Sequence, residues 1–411
     1  MKRKKATQES IQEHNLGLIL RFIKENKNFS RAGLSIETGL SKSTISGLVD
    51  ILINKKIITE GDKINSSRGK KPTVLQLNAT YYYVVAINIG IKFITAAITD
   101  LYGEVLCRVK KKNSPKKNKD EMLDNLFNII EEVLDNSGIS IKKVYLFSIG
   151  THGVINPETK KILFAPYLPK LQGINLVEII KEKYKKEVII ENSVNLGAMG
   201  EHWKNYSDIN NLIYILIHYG IAAGIIIDNK LAIGTNGSMG EIAYLPILKK
   251  YDSKKIKENK LELGLFESQV DIVGITNTVR RELKKQKNSS EIEINKNIDR
   301  IDFDDICKYY NSPEGNPVKK IIDNDIIKML AIGIASVIAV VDTKIIILNG
   351  RIIELGDNFF NKFKKEIYDI TPFKPDIVIS KLKKDASITG EIKFGLNYMD
   401  DLLYNRFFSL L

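Results

Sequence analysis

The chain has 411 residues, 44% of them hydrophobic, and a formal net charge of +13 at pH 7. The length exceeds one ordinary domain, and the apolar content excludes global disorder. Two cysteines, Cys107 and Cys307, offer no disulfide framework, and the longest apolar stretch, residues 329–341, ends at Asp342, too short to span a bilayer.

No apolar segment follows the basic residues 1–5, so no secretory signal is expected, and the cysteine usage suits a reducing cytoplasm. Charge is uneven. Residues 1–80 hold 15 Lys and Arg against 7 Asp and Glu, a net +8 of the +13. That asymmetry points to a polyanion partner at this end. A Lys-, Asn- and Ile-rich bias runs through the whole chain, so charge alone carries little weight.

In chain order, Ile11, Leu16, Ile19, Leu20 and Ile23 recur on one helical face and predict a first helix over residues 10–26. A helix-turn-helix follows over 31–38 and 41–54. Gly39 supplies the left-handed residue that ends one helix, and Ser41 is placed to cap the next. Ile45, Leu48, Val49 and Leu52 mark the inner face of that helix. Its outer face carries Lys42, Ser43, Ser46, Gly47 and Asp50, small and mostly uncharged groups suited to a major groove. Arg31, Ser41, Lys42, Ser43, Thr44, Ser46 and Gly47 are therefore candidate DNA contacts. Gly47 also has a bland reading as drift, since glycine inside a helix costs about 1 kcal/mol against alanine.

Short strands are expected at 57–60 and 73–77, joined by a polar, basic loop, which completes a winged helix ending near Asn78. In that loop Arg68, Gly69, Lys70, Lys71 and Pro72 form a basic segment suited to a narrow minor groove; the bland alternative is an interdomain linker. Residues 2–5 read as a basic arm that attracts phosphates without sequence preference.

From Tyr81 the pattern changes. Strands are expected at 83–89, 93–99 and 103–109, a helix at 121–136, and a strand at 144–149. Further strands follow at 188–190, 212–217 and 223–227, with Leu231 starting another. Residues 249–260 read as a solvated loop, and 329–341 as a buried helix feeding a strand at 344–348. Two similar series of strands and helices describe a two-lobed α/β body.

The order of these segments resembles the ROK family (repressor, open reading frame, kinase), and within it the regulator branch, such as xylose repressors. The resemblance rests on residues 30–52, on 68–72, on 86–90 with 99–105, on 191–201, on 234–241 and on 347–350. It implies an N-terminal winged helix-turn-helix over 1–78 and an actin-like, ribonuclease-H-like ROK body over 79–411. Lobe 1 would span about 79–190 plus the C-terminal helix, and lobe 2 about 191–384. A sugar is expected in the cleft between the lobes.

The family's kinases read Asp-Ile-Gly-Gly-Thr-Lys where this chain has Asn88-Ile89-Gly90-Ile91-Lys92-Phe93. An acid, a glycine and a threonine that hold phosphates are gone. The second phosphate loop, residues 218–224, keeps two glycines, and Ser193 stands where kinases carry the aspartate base. An unactivated serine does not accept a proton near neutrality, so phosphoryl transfer is not expected. The family's sugar contacts fall on Asn192, Glu241 and Glu267, whose amide and carboxylates suit polyol hydroxyls. Tyr244 replaces the family's zinc histidine and joins these three as a candidate sugar contact, and no cysteine occupies the zinc loop, where Leu265 and Phe266 suggest apolar packing. The four histidines are scattered in sequence, so neither a metal nor a cofactor is expected.

The expectation is a cytoplasmic homodimer, or higher homo-oligomer, that binds a double-stranded operator, contacts no membrane and responds to a monosaccharide. A sugar kinase with an added head and a ligand-independent DNA-binding dimer are the alternatives.

Overall fold

The computed structural model describes residues 7–25, 29–63, 73–114, 116, 118–247, 264–286, 297–312 and 316–410. The head follows its local signals. Helix α1 (Gln8–Glu25) buries Leu16, Ile19, Leu20 and Ile23. Helix α2 (Arg31–Thr38) is capped by the Ser30 hydroxyl and stops at Gly39, whose φ is +69°. Helix α3 (Lys42–Asn54) is capped by Ser41, which accepts from the Thr44 N–H, and buries Ile45, Leu48, Val49 and Leu52. Strands β1 (Ile58–Lys63) and β2 (Thr73–Leu77) pair antiparallel as the wing.

Lobe 1 is built on β3 (Tyr83–Ile89), β4 (Phe93–Thr99), β5 (Val105–Lys112), α4 (Lys119–Ser137) and β6 (Val144–Thr151). The short ribbon β7 (Val154–Ile155) with β8 (Ile162–Phe164), then α5 (Leu176–Tyr184) and β9 (Glu187–Asn192), complete it. Its sheet runs β5-β4-β3-β6-β9, antiparallel in the first three strands and parallel afterwards. The third strand starts later than the sequence suggests, because Gly103 takes φ +83° and belongs to the turn.

Helix α6 (Ser193–Asn205) leads to β10 (Leu212–Ile217), β11 (Ile221–Ile227) and β12 (Lys230–Leu231). The strand expected from Leu231 is only this two-residue pairing. Next come α7 (Glu267–Val270), α8 (Ile272–Gln286), α9 (Phe303–Tyr310), α10 (Pro317–Ile321) and α11 (Ile327–Val340). Strand β13 (Ile345–Asn349), α12 (Gly356–Ile370) and β14 (Asp376–Ile379) close lobe 2, whose sheet runs β12-β11-β10-β13-β14. Three antiparallel strands followed by parallel ones thus occur twice, which is the actin-like two-lobed body.

The chain ends with α13 (Ala386–Asn405) and α14 (Phe407–Leu410). Helix α13 lies on α6 and on the lobe 1 sheet. Its C-terminal half enters the head's core: Leu16, Ile19, Leu20, Ile23 and Leu52 share one apolar cluster with Val84, Leu101, Leu146, Met399, Leu402, Leu403 and Phe407. The end of the winged-helix pattern near Asn78 is therefore not a break in packing. No helix among the described residues is long and apolar enough to cross a membrane.

Candidate functional site

Two sites take shape, one on the head and one in the cleft. On the head, Ser41, Lys42, Ser43, Thr44 and Gly47 are exposed, while Ile45, Leu48, Val49 and Leu52 point into the core. The Ser41 hydroxyl is bonded to those of Ser43 and Thr44, each at 2.8 Å, so this helix start is a compact cluster of polar groups. A side chain at Gly47 would meet nothing within 4 Å, which is open space above an exposed helix face.

Arg31 is placed differently from the other candidates. Its guanidinium donates to the Ser46 carbonyl, to Ser46 Oγ at 3.1 Å and to Asp50 Oδ1 at 2.7 Å, and reaches Glu60 at 3.4 Å. It ties α2 to α3 and to the wing, and it engages Ser46 as it does so. Four acceptors on two elements, α3 and β1, define a clamp from α2, a role that sequence spacing did not reveal. Arg68, Gly69, Lys70 and Lys71, the basic arm at residues 2–5 and the loop at 249–260 lie outside the described residues.

A cleft between the lobes, partly open to solvent, offers about 70 Å³ of internal space. Lobe 1 contributes His152, Phe164, Tyr167 and Asn192. Lobe 2 contributes His218, Tyr219, Glu241, Tyr244 and Glu267. All four predicted sugar residues are thus brought together. Asn192 caps α6 by accepting from Val194 N at 2.7 Å and donates to the Gly153 carbonyl at 2.9 Å, so its amide is oriented by the fold. Glu267 is 5% exposed and accepts from Gly264 N at 3.2 Å. Burial pushes the Glu241 and Glu267 carboxyls up to about 7 each; proximity to each other and to Asp271 adds to the rise at Glu267. Burial raises the Tyr244 phenol to about 12.

His152 and His218 were missed as cleft residues because 66 positions separate them in sequence. The fold sets both in this wall, and burial pushes each down to about 4. They are neutral at physiological pH. His218 Nδ1 accepts from Tyr219 N at 2.9 Å, which leaves Nε2 as a donor. Tyr167 was missed as well; its hydroxyl crosses between lobes to Asp271 Oδ2 at 3.1 Å. Aromatic side chains separated by long loops leave no periodic trace. No cluster of metal-ligating side chains occurs among the described residues.

The phosphate end of the cleft is closed by side chains. Asn88 Nδ2 donates to Glu391 Oε1 at 2.7 Å and approaches Ser193 Oγ at 3.4 Å. The Lys92 ammonium sits 5.1 Å from the centre of the Tyr219 ring, across the mouth. Asn113 caps the Gly90 carbonyl. Glu191, the nearest carboxylate in the same loop, is held by Asn192 N and Asn195 Nδ2. Glu191 is thereby engaged within its own loop. Purified protein given Mg-ATP and aldoses is expected to release no sugar-dependent ADP above the no-sugar control in a coupled assay.

Residues 84–257 match the ROK family model. That segment is similar to a ROK family domain. A xylose repressor of Caldicellulosiruptor bescii is 27% identical over 394 residues, covering 95% of this chain and 97% of the relative. A xylose repressor of Bacillus subtilis is 35% identical over 251 residues, 59% of this chain and 62% of that protein. Among solved structures, a ROK family transcriptional regulator described as a homolog of the E. coli MLC protein superposes with a TM-score of 0.75. It is 23% identical and covers 96% of this chain and 98% of its own, which establishes the fold along nearly the full length of this chain.

Proposed function

We propose that this protein is a cytoplasmic, DNA-binding, sugar-responsive transcriptional repressor. The observation that carries the reading is the orientation of α3: its apolar stripe is buried and its capped, polar N-terminal surface faces outward, where a duplex would lie. The named relatives are repressors, which supports the same reading. Residues 1–78 would form the head and 79–411 the sensing body. Lys42, Ser43 and Thr44 would meet the groove, Ser41 would shape that surface, and Arg68, Gly69, Lys70 and Lys71 would follow the backbone beside it. Arg31 would act by holding the head rigid. Two such heads on a two-fold axis would match half-sites about one helical turn, or a multiple, apart.

The effector reading becomes narrower in the cleft. Among the described residues its lining contains no lysine or arginine, two neutral imidazoles and two carboxyls without a cation beside them. A sugar phosphate would meet that wall as a second anion, whereas an uncharged aldose would donate hydroxyls to Glu241 and Glu267 and accept from His218 Nε2. Asn192 and Tyr244 would flank it. Calorimetry across pentoses, hexoses and their phosphates tests this. Binding by a neutral aldose alone is expected; a flat response to every sugar at millimolar concentration removes the effector claim. Fluorescence anisotropy on a duplex selected from a random-sequence pool tests the head. Lys42→Ala is expected to weaken binding to all sequences and to lower the salt slope by about one phosphate contact. An unchanged slope would remove Lys42 from the interface.

A further inference from the structure

Resting on that reading, we propose that α13 is the rod that carries the sugar signal from the cleft to the DNA-reading head. Three junctions along one helix support it.

At the cleft end, Asn192 both lines the pocket and caps α6, and α6 is locked to α13 backbone against backbone. A Cβ at Gly390 would stand 1.7 Å from the Leu196 carbonyl oxygen, and one at Gly200 would stand 2.3 Å from that of Ala386. Ser387 Oγ donates to the Ser193 carbonyl at 3.0 Å. Helices this close cannot slide independently; a shift of the α6 N-terminus is a shift of α13.

At mid-length α13 meets the lobe 1 sheet. Glu391 is fully buried, takes the Asn88 amide on Oε1 and receives Ser148 Oγ on its backbone carbonyl at 2.7 Å. Its Oε2 has no hydrogen-bond partner. Here α6, α13 and strands β3 and β6 converge.

At the far end α13 meets α1. A Cβ at Gly17 would lie 1.8 Å from the Tyr404 carbonyl oxygen. Lys24 and Asp400 form an ion pair whose side chains are only 12% and 24% exposed. The Arg21 guanidinium lies 5.3 Å from the Tyr404 ring centre. Just beyond, Phe408 N donates to Glu13 Oε1 at 2.9 Å. From Ser387 to Asp400 the helix spans about 20 Å at 1.5 Å per residue, so one rigid element joins α6, which Asn192 caps, to α1 of the head. The two sites are coupled if sugar binding and DNA binding favour different positions of that rod.

The test cuts the far junction without touching either site. Lys24→Met combined with Tyr404→Ala is made in the full chain, and the aldose returned by the calorimetric screen is used, D-xylose being the first tried. The wild type is expected to lose about tenfold or more of its duplex affinity with sugar, inside the roughly 5–150-fold range usual for coupled sites. The double variant is expected to bind sugar and duplex separately within about threefold of wild type, yet to change duplex affinity less than about twofold on adding sugar. Full retention of the wild-type response, with both ligands bound, would overturn the rod. A second measurement covers a variant that misfolds: in the wild type, sugar is expected to alter amide hydrogen exchange over residues 13–25 and 398–405. A fall in duplex affinity without any change there would also overturn the rod. Failure of every aldose to bind, or of bound sugar to alter wild-type duplex affinity, defeats the sugar-responsive part of that reading and is recognisable as that separate result.

Discussion

Sugar affinity is expected to rise between pH 6 and pH 8. Glu241 and Glu267 each stand near 7 in the empty cleft because burial disfavours their charge. At pH 6 both are mostly protonated, and at pH 8 mostly ionised. A carboxylate accepts from sugar hydroxyls better than a carboxylic acid does, so binding draws the protons off. The gain is about tenfold if one carboxylate must be ionised to bind, and about a hundredfold if both must. The stability of the empty protein runs the other way. These folded values lie above the ordinary carboxylate value of 4.5. The stabilisation they give is complete below about 4.5 and is lost as pH rises through about 7, on the order of 3 kcal/mol per carboxyl at roughly 1.4 kcal/mol per pKa unit. The shift in melting temperature caused by sugar should therefore be larger at pH 8 than at pH 6. Glu241→Gln and Glu267→Gln should each weaken binding at pH 8 and flatten the profile. Calorimetry in buffers of different ionisation enthalpy measures the proton release directly; a pH-independent affinity with no proton release would refute this assignment.

Truncation of Phe266 to alanine is expected to cost about 3–5 kcal/mol, the range for large-to-small changes in a packed core. Phe266 is 0% exposed, and its ring fills the space left by Gly333 on α11, where a Cβ would stand 2.2 Å from the ring tip. Its neighbours in the lobe 2 core include Val270, Ile275, Leu330 and Ile334. The same residue sits between Gly264 and Glu267, so the cavity left behind would also free the carboxylate that Gly264 holds. Urea unfolding of the full chain should display the loss, and sugar affinity should fall with it. A cost below about 1 kcal/mol would mean that apolar packing does not anchor this loop. A chelator should leave the melting temperature of the wild type where it was, since Phe266 packing anchors the segment.

Part of this molecule was legible in its sequence because the forces involved are local. Gly39 ends α2 in the left-handed region, and Ser41 caps α3. The stripe Ile45, Leu48, Val49 and Leu52 became the buried face. A cap reaches three residues, a turn needs one permissive φ, and a helical stripe repeats every three or four positions. The order of motifs was enough for the ROK resemblance, and Asn192, Glu241, Tyr244 and Glu267 did converge on one cleft.

The rest was decided by contacts between residues far apart in the chain. Arg31 has a groove-facing address by spacing, yet Asp50 and Glu60 hold it inward. His152 and His218 share a wall only because the lobes fold toward each other. Asn88, Ser193 and Glu391 close the phosphate end from three distant segments. The winged-helix pattern ends near Asn78, and α13, from the far end of the chain, threads its apolar residues into that head's core. Side-chain type and spacing determine which element forms and which face is apolar. Which apolar face covers which, and which charge finds a partner, is set by how the elements pack in three dimensions, and no local pattern encodes that.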